Sequence, residues 1–311
     1  MPARPPTRRL PDRIEPMLCR PGAAFDAPDF LFEIKWDGTR ALAFRDARAY
    51  RLQNRKHASL KERYPELSGL HKLKAGTVLD GEVVVLRHGR PDFPALLKRE
   101  QARTLQRVAA AARTWPATYV VFDLLYDRYL PLLDRPCAER RERLRAVAAA
   151  LADPRVVMSE GVVGDGRLFF EQAAARGLEG VVAKRLTSPY LPGRRTDHWV
   201  KVKRRQTAVC AVIGYQPDPE RGLKSLIVAA EFGGALRCVG KVGSGIGEAL
   251  ARRLLAEIPN RRRGRPVVPC SIKGRWLEPG LFCEVSYLEL TPDGNFRAPA
   301  FVRLIEPPEP Q

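Results

Sequence analysis

Downstream of EIKWDGTR at 33–40, four apolar stretches of this chain carry charges within them: LDGEVVVL at 79–86, YVVFDLLY at 119–126, LEGVVAKR at 178–185 and WVKVK at 199–203. Each reads as a strand rich in Val, Ile or aromatic residues. A charge inside a buried strand is costly unless it meets an opposite charge, a metal or a ligand. One such strand, WVKVK for instance, is satisfied as a half-exposed sheet face with its lysines in water. Four together fit a shared site better. The carboxylates Glu82 and Glu179 suit a hard cation. Lys184, Lys201 and Lys203 suit phosphates, and Phe122, in YVVFDLLY, suits stacking on a base, whereas Lys-x-Asp-Gly at 35–38 alone reads as a hairpin turn with a solvated lysine.

The surrounding pattern is mixed. FLFEIKW, ALAFR and YRLQN predict three strands joined by tight turns at Asp37-Gly38 and around Asp46. Helices are expected over 94–112 and 138–152, and over RLFFEQAAARGL with Gly177 as its C-cap. After Arg205 the texture changes to short strands (AVCAVIGY, KSLIVAAEF, ALRCVGKV, LFCEVSYLEL) around one helix near 246–257, which suits a small β-barrel. The expected architecture is therefore α+β in three parts. A flexible basic arm covers 1–20, antiparallel sheets with flanking helices cover 21–205, and a barrel covers 206–311.

Charge narrows the partners. The chain carries +19, with a pI near 10.2. Residues 1–205 hold 40 basic and 24 acidic side chains, or +16, against 14 and 11, or +3, in residues 206–311. Such a field favours polyanions, nucleic acid first. No apolar run approaches the roughly 18–20 residues that span a bilayer, and the N-terminal MPARPPTRRLPDR lacks the apolar core of a secretory signal. A cytoplasmic protein with no membrane partner is expected. The six cysteines show no C-x-x-C spacing and are expected to be reduced, small core residues. GKVGSGIG at 240–247 lacks both the P-loop ending and a βαβ setting, so it reads as a glycine turn between strand and helix. RRRGR at 261–265 reads as a solvated loop.

In order and wording, the charged motifs resemble the covalent nucleotidyltransferases, specifically bacterial ATP-dependent DNA ligases of the end-joining, LigD-like kind. The likeness runs from about Pro16 to Arg303 and is densest over EGVVAKRLTSPYLPGRRTDHWVKVK. It implies an ATP-grasp-like nucleotidyltransferase domain followed by an OB-fold that clamps DNA. It implies that Lys35 attacks the α-phosphate of ATP and carries AMP. Glu33 would read adenine, Arg40 would contact nucleotide or nick, and Arg55 would hold sugar or phosphate. Phe122 would stack on adenine, and Lys184, Lys201 and Lys203 would serve the nucleotide, the last two at its α-phosphate. Glu82 and Glu179 would hold Mg²⁺ or Mn²⁺. The substrate implied is nicked or broken double-stranded DNA, acted on by a monomer, with a Ku-like end-binding protein as a partner.

The chemistry sets a requirement. Lysine attacks only as the free amine, and its ordinary pKa is about 10.4. Lys201, Lys203 and a bound metal are expected to depress that value at Lys35. One departure from the family stands out. Its closing Arg-x-Asp-Lys motif is replaced by FRAPAFVRLIEPPEPQ, in which Arg303 remains but prolines up to Pro308 stand in place of Asp-Lys. This bears on self-adenylylation. Two other readings remain: an RNA ligase or guanylyltransferase of the same superfamily, and a non-catalytic DNA end-binding module.

Overall fold

Alternation of side chains along the strands explains how the charged stretches come together. In the computed structural model, which describes residues 9–220, 222–288, 290–291 and 293–305, the chain divides into unit 1, residues 1–203, and unit 2, residues 204–311. Unit 1 holds two sheets. The first runs β1 (Leu18–Pro21), β12 (Arg195–Lys203), β11 (Gly180–Arg185), β2 (Ala27–Ile34) and β10 (Gly161–Gly164). The second runs β4 (Tyr50–Asn54), β3 (Thr39–Arg45), β5 (Thr77–Arg87), β7 (Ala117–Asp127) and β8 (Leu130–Pro131), with β6 (Arg90–Pro91) on β5 and β9 (Val156–Met158) on β7. Pairing is mostly antiparallel, as expected, but β1 with β12 and β7 with β9 are parallel.

Opposed residues in a sheet share a face. In the first sheet Phe30, Phe32, Val181, Ala183 and Val202 form the outer, apolar face, and it packs beneath α4 (Gly166–Ala175). The inner face carries Glu33, Lys184, Trp199, Lys201 and Lys203. In the second sheet Ala41, Ala43, Leu79 and Val83 meet α1 (Phe93–Gln101) and α3 (Cys137–Leu151). Leu42, Phe44 and Val78 point the other way and join Trp199 and Tyr190 in the core between the two sheets.

Four expectations need correction here. Asp37-Gly38 is not a hairpin turn: it carries the chain from β2 in one sheet to β3 in the other. The helix over 94–112 is two helices, α1 and α2 (Leu105–Thr114), because Thr104 caps the Arg107 N–H and starts a new one. The arm over 1–20 is not free after residue 9, since Leu10, Ile14 and Met17 are buried in the inter-sheet core and β1 adds to a sheet. Residues 1–8 lie outside the described residues. The cysteines are not all thiols: Cys238 and Cys270, 32 residues apart, are joined where the fold brings their Cα atoms to 5.5 Å. Cys19, Cys137, Cys210 and Cys283 are free.

Unit 2 is a single curled sheet of β15 (Ala235–Val242), β14 (Ser225–Phe232), β13 (Gln206–Gln216), β17 (Arg275–Leu277) and β16 (Arg262–Arg263). β18 (Phe282–Tyr287) pairs with β13 and with β19 (Ala300–Ile305). The long β13 is bulged near Val212–Gly214 and pairs with three strands, so the sheet bends into a half-barrel, compatible with an OB-like fold. α5 (Glu248–Glu257) adds Leu254 to the core. GKVGSGIG forms the end of β15 and the turn into α5, as its glycines suggest. Arg303 pairs with Glu284 at 2.8 Å. The prolines that depart from the family motif lie outside the described residues. No described helix is long and apolar enough to cross a membrane.

A buried ion pair ties α3 to β7. Arg140 and Asp123 bond through Nε–Oδ1 at 2.7 Å and Nη2–Oδ2 at 2.8 Å, and both are almost fully buried. The remaining Arg140 nitrogen donates to the carbonyls of Arg135 and Ser188. Asp123→Ala would leave a buried guanidinium without its countercharge, a loss of roughly 3–5 kcal/mol. Urea unfolding is expected to show that loss, and joint replacement of Asp123 and Arg140 by Leu and Met to recover much of it. Equal losses in the single and double variants would refute this account.

Candidate active site

Lys35 comes directly after the last residue of β2. Its backbone N–H donates to the Gly180 carbonyl at 2.9 Å, and the chain then leaves for the opposite sheet. Two glycines allow this crossing. A Cβ on Gly38 would lie 2.3 Å from the Val83 carbonyl oxygen. Gly180 has φ of +150°, and a Cβ there would lie 2.0 Å from the Val202 carbonyl oxygen. Lys35 therefore sits at the seam, facing groups from both sheets.

Around it the charges are paired. Lys35 Nζ lies 2.5 Å from Glu179 Oε2, and Lys203 Nζ lies 2.7 Å from Glu179 Oε1. Glu33 is buried, with Oε2 at 2.6 Å from Lys184 Nζ and Oε1 accepting from Arg141 of α3. Lys184 also donates to the Phe122 carbonyl at 3.0 Å and lies over the Phe122 ring at 4.4 Å. From the facing sheet, Arg40 makes a two-pronged bond with buried Asp80, both contacts at 2.6 Å, and Tyr190 donates to the same carboxylate at 2.7 Å. The Arg40 guanidinium stacks 4.7 Å from the Phe122 ring centre.

Glu82 stands opposite Arg40 in the sheet register, and its side chain makes no hydrogen bond among the described residues. Burial pushes its pKa to about 8, against the pull of Arg40 and Lys35.

Lys35 differs from the expectation. Burial works against its ammonium, but Glu179, with Glu82 and Asp37 behind it, outweighs burial and holds the pKa above the ordinary lysine value. Of the cations expected to depress it, Lys203 shares with Lys35 the Glu179 carboxylate, which stands between the two ammonium groups. The lysine that is depressed is Lys201, by burial and then by its neighbours Lys203 and Lys35.

Glu33, Lys35, Arg40, Glu82, Phe122 and Lys184 line one cleft. Glu179 and Lys203 join them through Lys35, and Lys201 shares the inner face of β12 with Lys203. Arg55 is not brought in: it is exposed in the turn after β4, an edge strand, and does not line the cleft. Sequence reasoning missed Asp80, Arg141, Cys19 and Trp199, which either line the cleft or hold residues that do. Asp80 had a signal, a second carboxylate in LDGE two residues before Glu82. Arg141 had none beyond a basic helix.

Comparison with known proteins gives a family for the stretch of chain that holds the cleft. The family model described as "ATP dependent DNA ligase domain" matches residues 16–203, and "ATP dependent DNA ligase C terminal region" matches 219–306. The multifunctional non-homologous end joining DNA repair protein LigD of Mycobacterium tuberculosis is 33% identical over 92% of this chain, which spans only 38% of that relative. DNA ligase C1 of Mycolicibacterium smegmatis is 34% identical over 95% of this chain and 86% of its own length. The solved structure of mycobacterial DNA ligase D complexed with ATP and MES is 31% identical, covers 95% of this chain and 96% of its own, and superposes with a TM-score of 0.56. Since the first of these models matches residues 16–203, more than half of the chain and every residue that lines the cleft, this chain belongs to the ATP-dependent DNA ligase family.

Proposed function

We propose that this enzyme seals breaks between a 5′-phosphate and a 3′-hydroxyl in double-stranded DNA, with Lys35 as the residue that carries AMP. The observation behind this is the position of Lys35: a lysine at the seam of two sheets, its amine in contact with Glu179 and its cleft lined by Glu33, Arg40, Glu82, Phe122 and Lys184.

In the first step the Lys35 amine forms a bond to the α-phosphorus of ATP and the bond to pyrophosphate breaks. In the second, the DNA 5′-phosphate displaces lysine from AMP. In the third, the 3′-hydroxyl attacks the 5′-phosphorus and AMP leaves. Lys201 and Lys203 neutralise charge on the α-phosphate, where most phosphoryl-transfer catalysis arises. Glu33 accepts from the adenine amino group, Phe122 offers a ring to the base, and Arg40, held in place by Asp80, contacts nucleotide or nick.

The residues fit a divalent cation. The described residues contain no cluster of three or more ligating side chains, but Mg²⁺ is commonly held by one or two carboxylates together with phosphate oxygens and water. Glu82, half-buried without a hydrogen bond and with a raised pKa, is a carboxylate in want of positive charge, and it interacts with Glu179. These two residues would hold Mg²⁺ or Mn²⁺, which would supply Lewis-acid polarisation of the phosphoryl oxygens.

The excess of cations in residues 1–205 supports a DNA substrate. The name of the M. tuberculosis relative, an end-joining DNA repair protein, extends the proposal to DNA breaks; a Ku-like end-binding partner is proposed from the family resemblance of the sequence alone. A cytoplasmic monomer is the working form.

Three outcomes are expected. Incubation with α-labelled ATP and divalent metal should give a labelled band on a denaturing gel, absent in Lys35→Ala. Label from GTP instead would move the case to guanylyl transfer, and no label from either would sink the lysyl-AMP proposal. Without metal, thermal stability should fall as pH rises from about 5 to 8. Glu82 titrates higher folded than unfolded, so its contribution is present below the unfolded value and is lost as pH passes the folded one. Glu82→Gln should flatten this dependence, and an unchanged slope would count against it. Affinity for nicked DNA should drop at least about tenfold from about 50 to 200 mM salt as counterions are released. An affinity indifferent to salt would exclude a groove that binds through phosphate contacts.

A further inference from the structure

Both oxygens of the buried Glu33 carboxylate are held by cations from different elements. Lys184 of β11 holds Oε2, and Arg141 of α3 is the only side-chain donor to Oε1 among the described residues. The second terminal nitrogen of Arg141 reaches Glu160 at 3.1 Å. Glu160 immediately precedes β10, whose first residue, Gly161, is the register partner of Glu33. A Cβ on Gly161 would lie 3.0 Å from Glu33 Cγ, so the glycine leaves room for this carboxylate. The helix is itself anchored: the Cys137 and Ala138 N–H groups, free at a helix start, donate to the Ser188 and Leu186 carbonyls just beyond β11. Arg141 is thus fixed behind Glu33 and does not line the cleft.

We infer that Arg141 sets the nucleobase preference of this enzyme by holding Glu33 as an ionised, acceptor-only group. The inference rests on the proposed reading of adenine by Glu33. A carboxylate only accepts hydrogen bonds, whereas a carboxylic acid also donates. An acceptor suits the amino group of adenine and repels the carbonyl that guanine carries at the same place. A protonated Glu33 would donate to that carbonyl and admit GTP. Burial is the largest influence on Glu33 and, with Asp123, holds its pKa above the usual carboxylate value, so Lys184 and Arg141 are what oppose protonation. Lys184 is shared with the Phe122 carbonyl and lies over the Phe122 and Trp199 rings. Arg141 therefore supplies the second charge as well as the fixed direction of Oε1. Its role is positional, since it touches Glu33 rather than the nucleotide.

The test is the ratio of kcat/KM for lysyl-nucleotide formation from labelled ATP and GTP, in the wild type and in Arg141→Met, Arg141→Lys and Glu33→Gln. Arg141→Met should lower the ATP-to-GTP ratio by about tenfold or more, the equivalent of one charge-assisted hydrogen bond. The change should lie mainly in KM for ATP, and Arg141→Lys should restore most of the ratio. If Arg141→Met does not fold, Arg141→Gln, which keeps a donor but no charge, decides on the same ratio. An unchanged ratio, or equal losses with both nucleotides, would overturn the role of Arg141. Glu33→Gln separates the two levels. If it leaves the ratio intact, the adenine reading itself fails. If it collapses the ratio while the Arg141 variants do not, only the inference about Arg141 fails.

Discussion

The arrangement of unit 1 depends on one backbone hydrogen bond and on the departure of the chain immediately after it. The Lys35 N–H donates to Gly180, the last rung between β2 and β11, and within four residues the chain has entered a different sheet. A strand that ended there in an ordinary hairpin would leave Lys35 on one sheet alone. The crossing instead puts its side chain where Glu179 comes from one sheet and Glu82 from the other. Gly38 and Gly180 are required by the same geometry, because each lies against a carbonyl that leaves no room for a Cβ.

Burying so much charge between two sheets would unfold the unit if the charges were not matched. Glu33, Asp80 and Asp123 each have an arginine and a second partner. Glu33 has Arg141 and Lys184, Asp80 has Arg40 and Tyr190, and Asp123 has Arg140 and the Leu124 N–H. Arginine suits this task, since its charge persists when desolvated and its fork meets a carboxylate at two points. Replacing such pairs with apolar residues is often neutral or stabilising, so stability alone does not explain them. They hold Phe122, Arg40 and Glu33 in fixed directions around one cleft, which is a requirement of binding.

Much of this was legible in the sequence because it lay in strands. Period-two alternation with charges at alternate places puts Glu33, Lys184, Lys201 and Lys203 on one face, and the structure brings them together there. What was not legible came from elements joined only by the fold. Nothing local marks Arg141 as the partner of a carboxylate 108 residues earlier. The pairing of Cys238 with Cys270 likewise depends on two segments meeting in unit 2. The Pro-rich start has the composition of a flexible arm, yet proline also stiffens an extended chain, and Leu10, Ile14 and Met17 suffice to bury it. Asp37-Gly38 has the composition of a hairpin turn, and local pattern cannot tell a turn within a sheet from a step between sheets.

The position of Lys35 carries an opposition that sequence did not foresee. An ammonium at the seam needs a countercharge, and Glu179, Glu82 and Asp37 provide it. The same carboxylates keep the proton on the group that, in the proposed reaction, must lose it to attack. A site tuned only for reactivity would have surrounded Lys35 with cations, as Lys201 is surrounded here. A site tuned only for stability would have given Glu82 a partner and would not have left its pKa near 8. Lys35 is matched and Glu82 is not, so the imbalance rests on the carboxylate. Positive charge arriving at Glu82 and Glu179 is therefore favoured by electrostatics twice over: it relieves a desolvated acid, and it weakens the hold on the lysine proton.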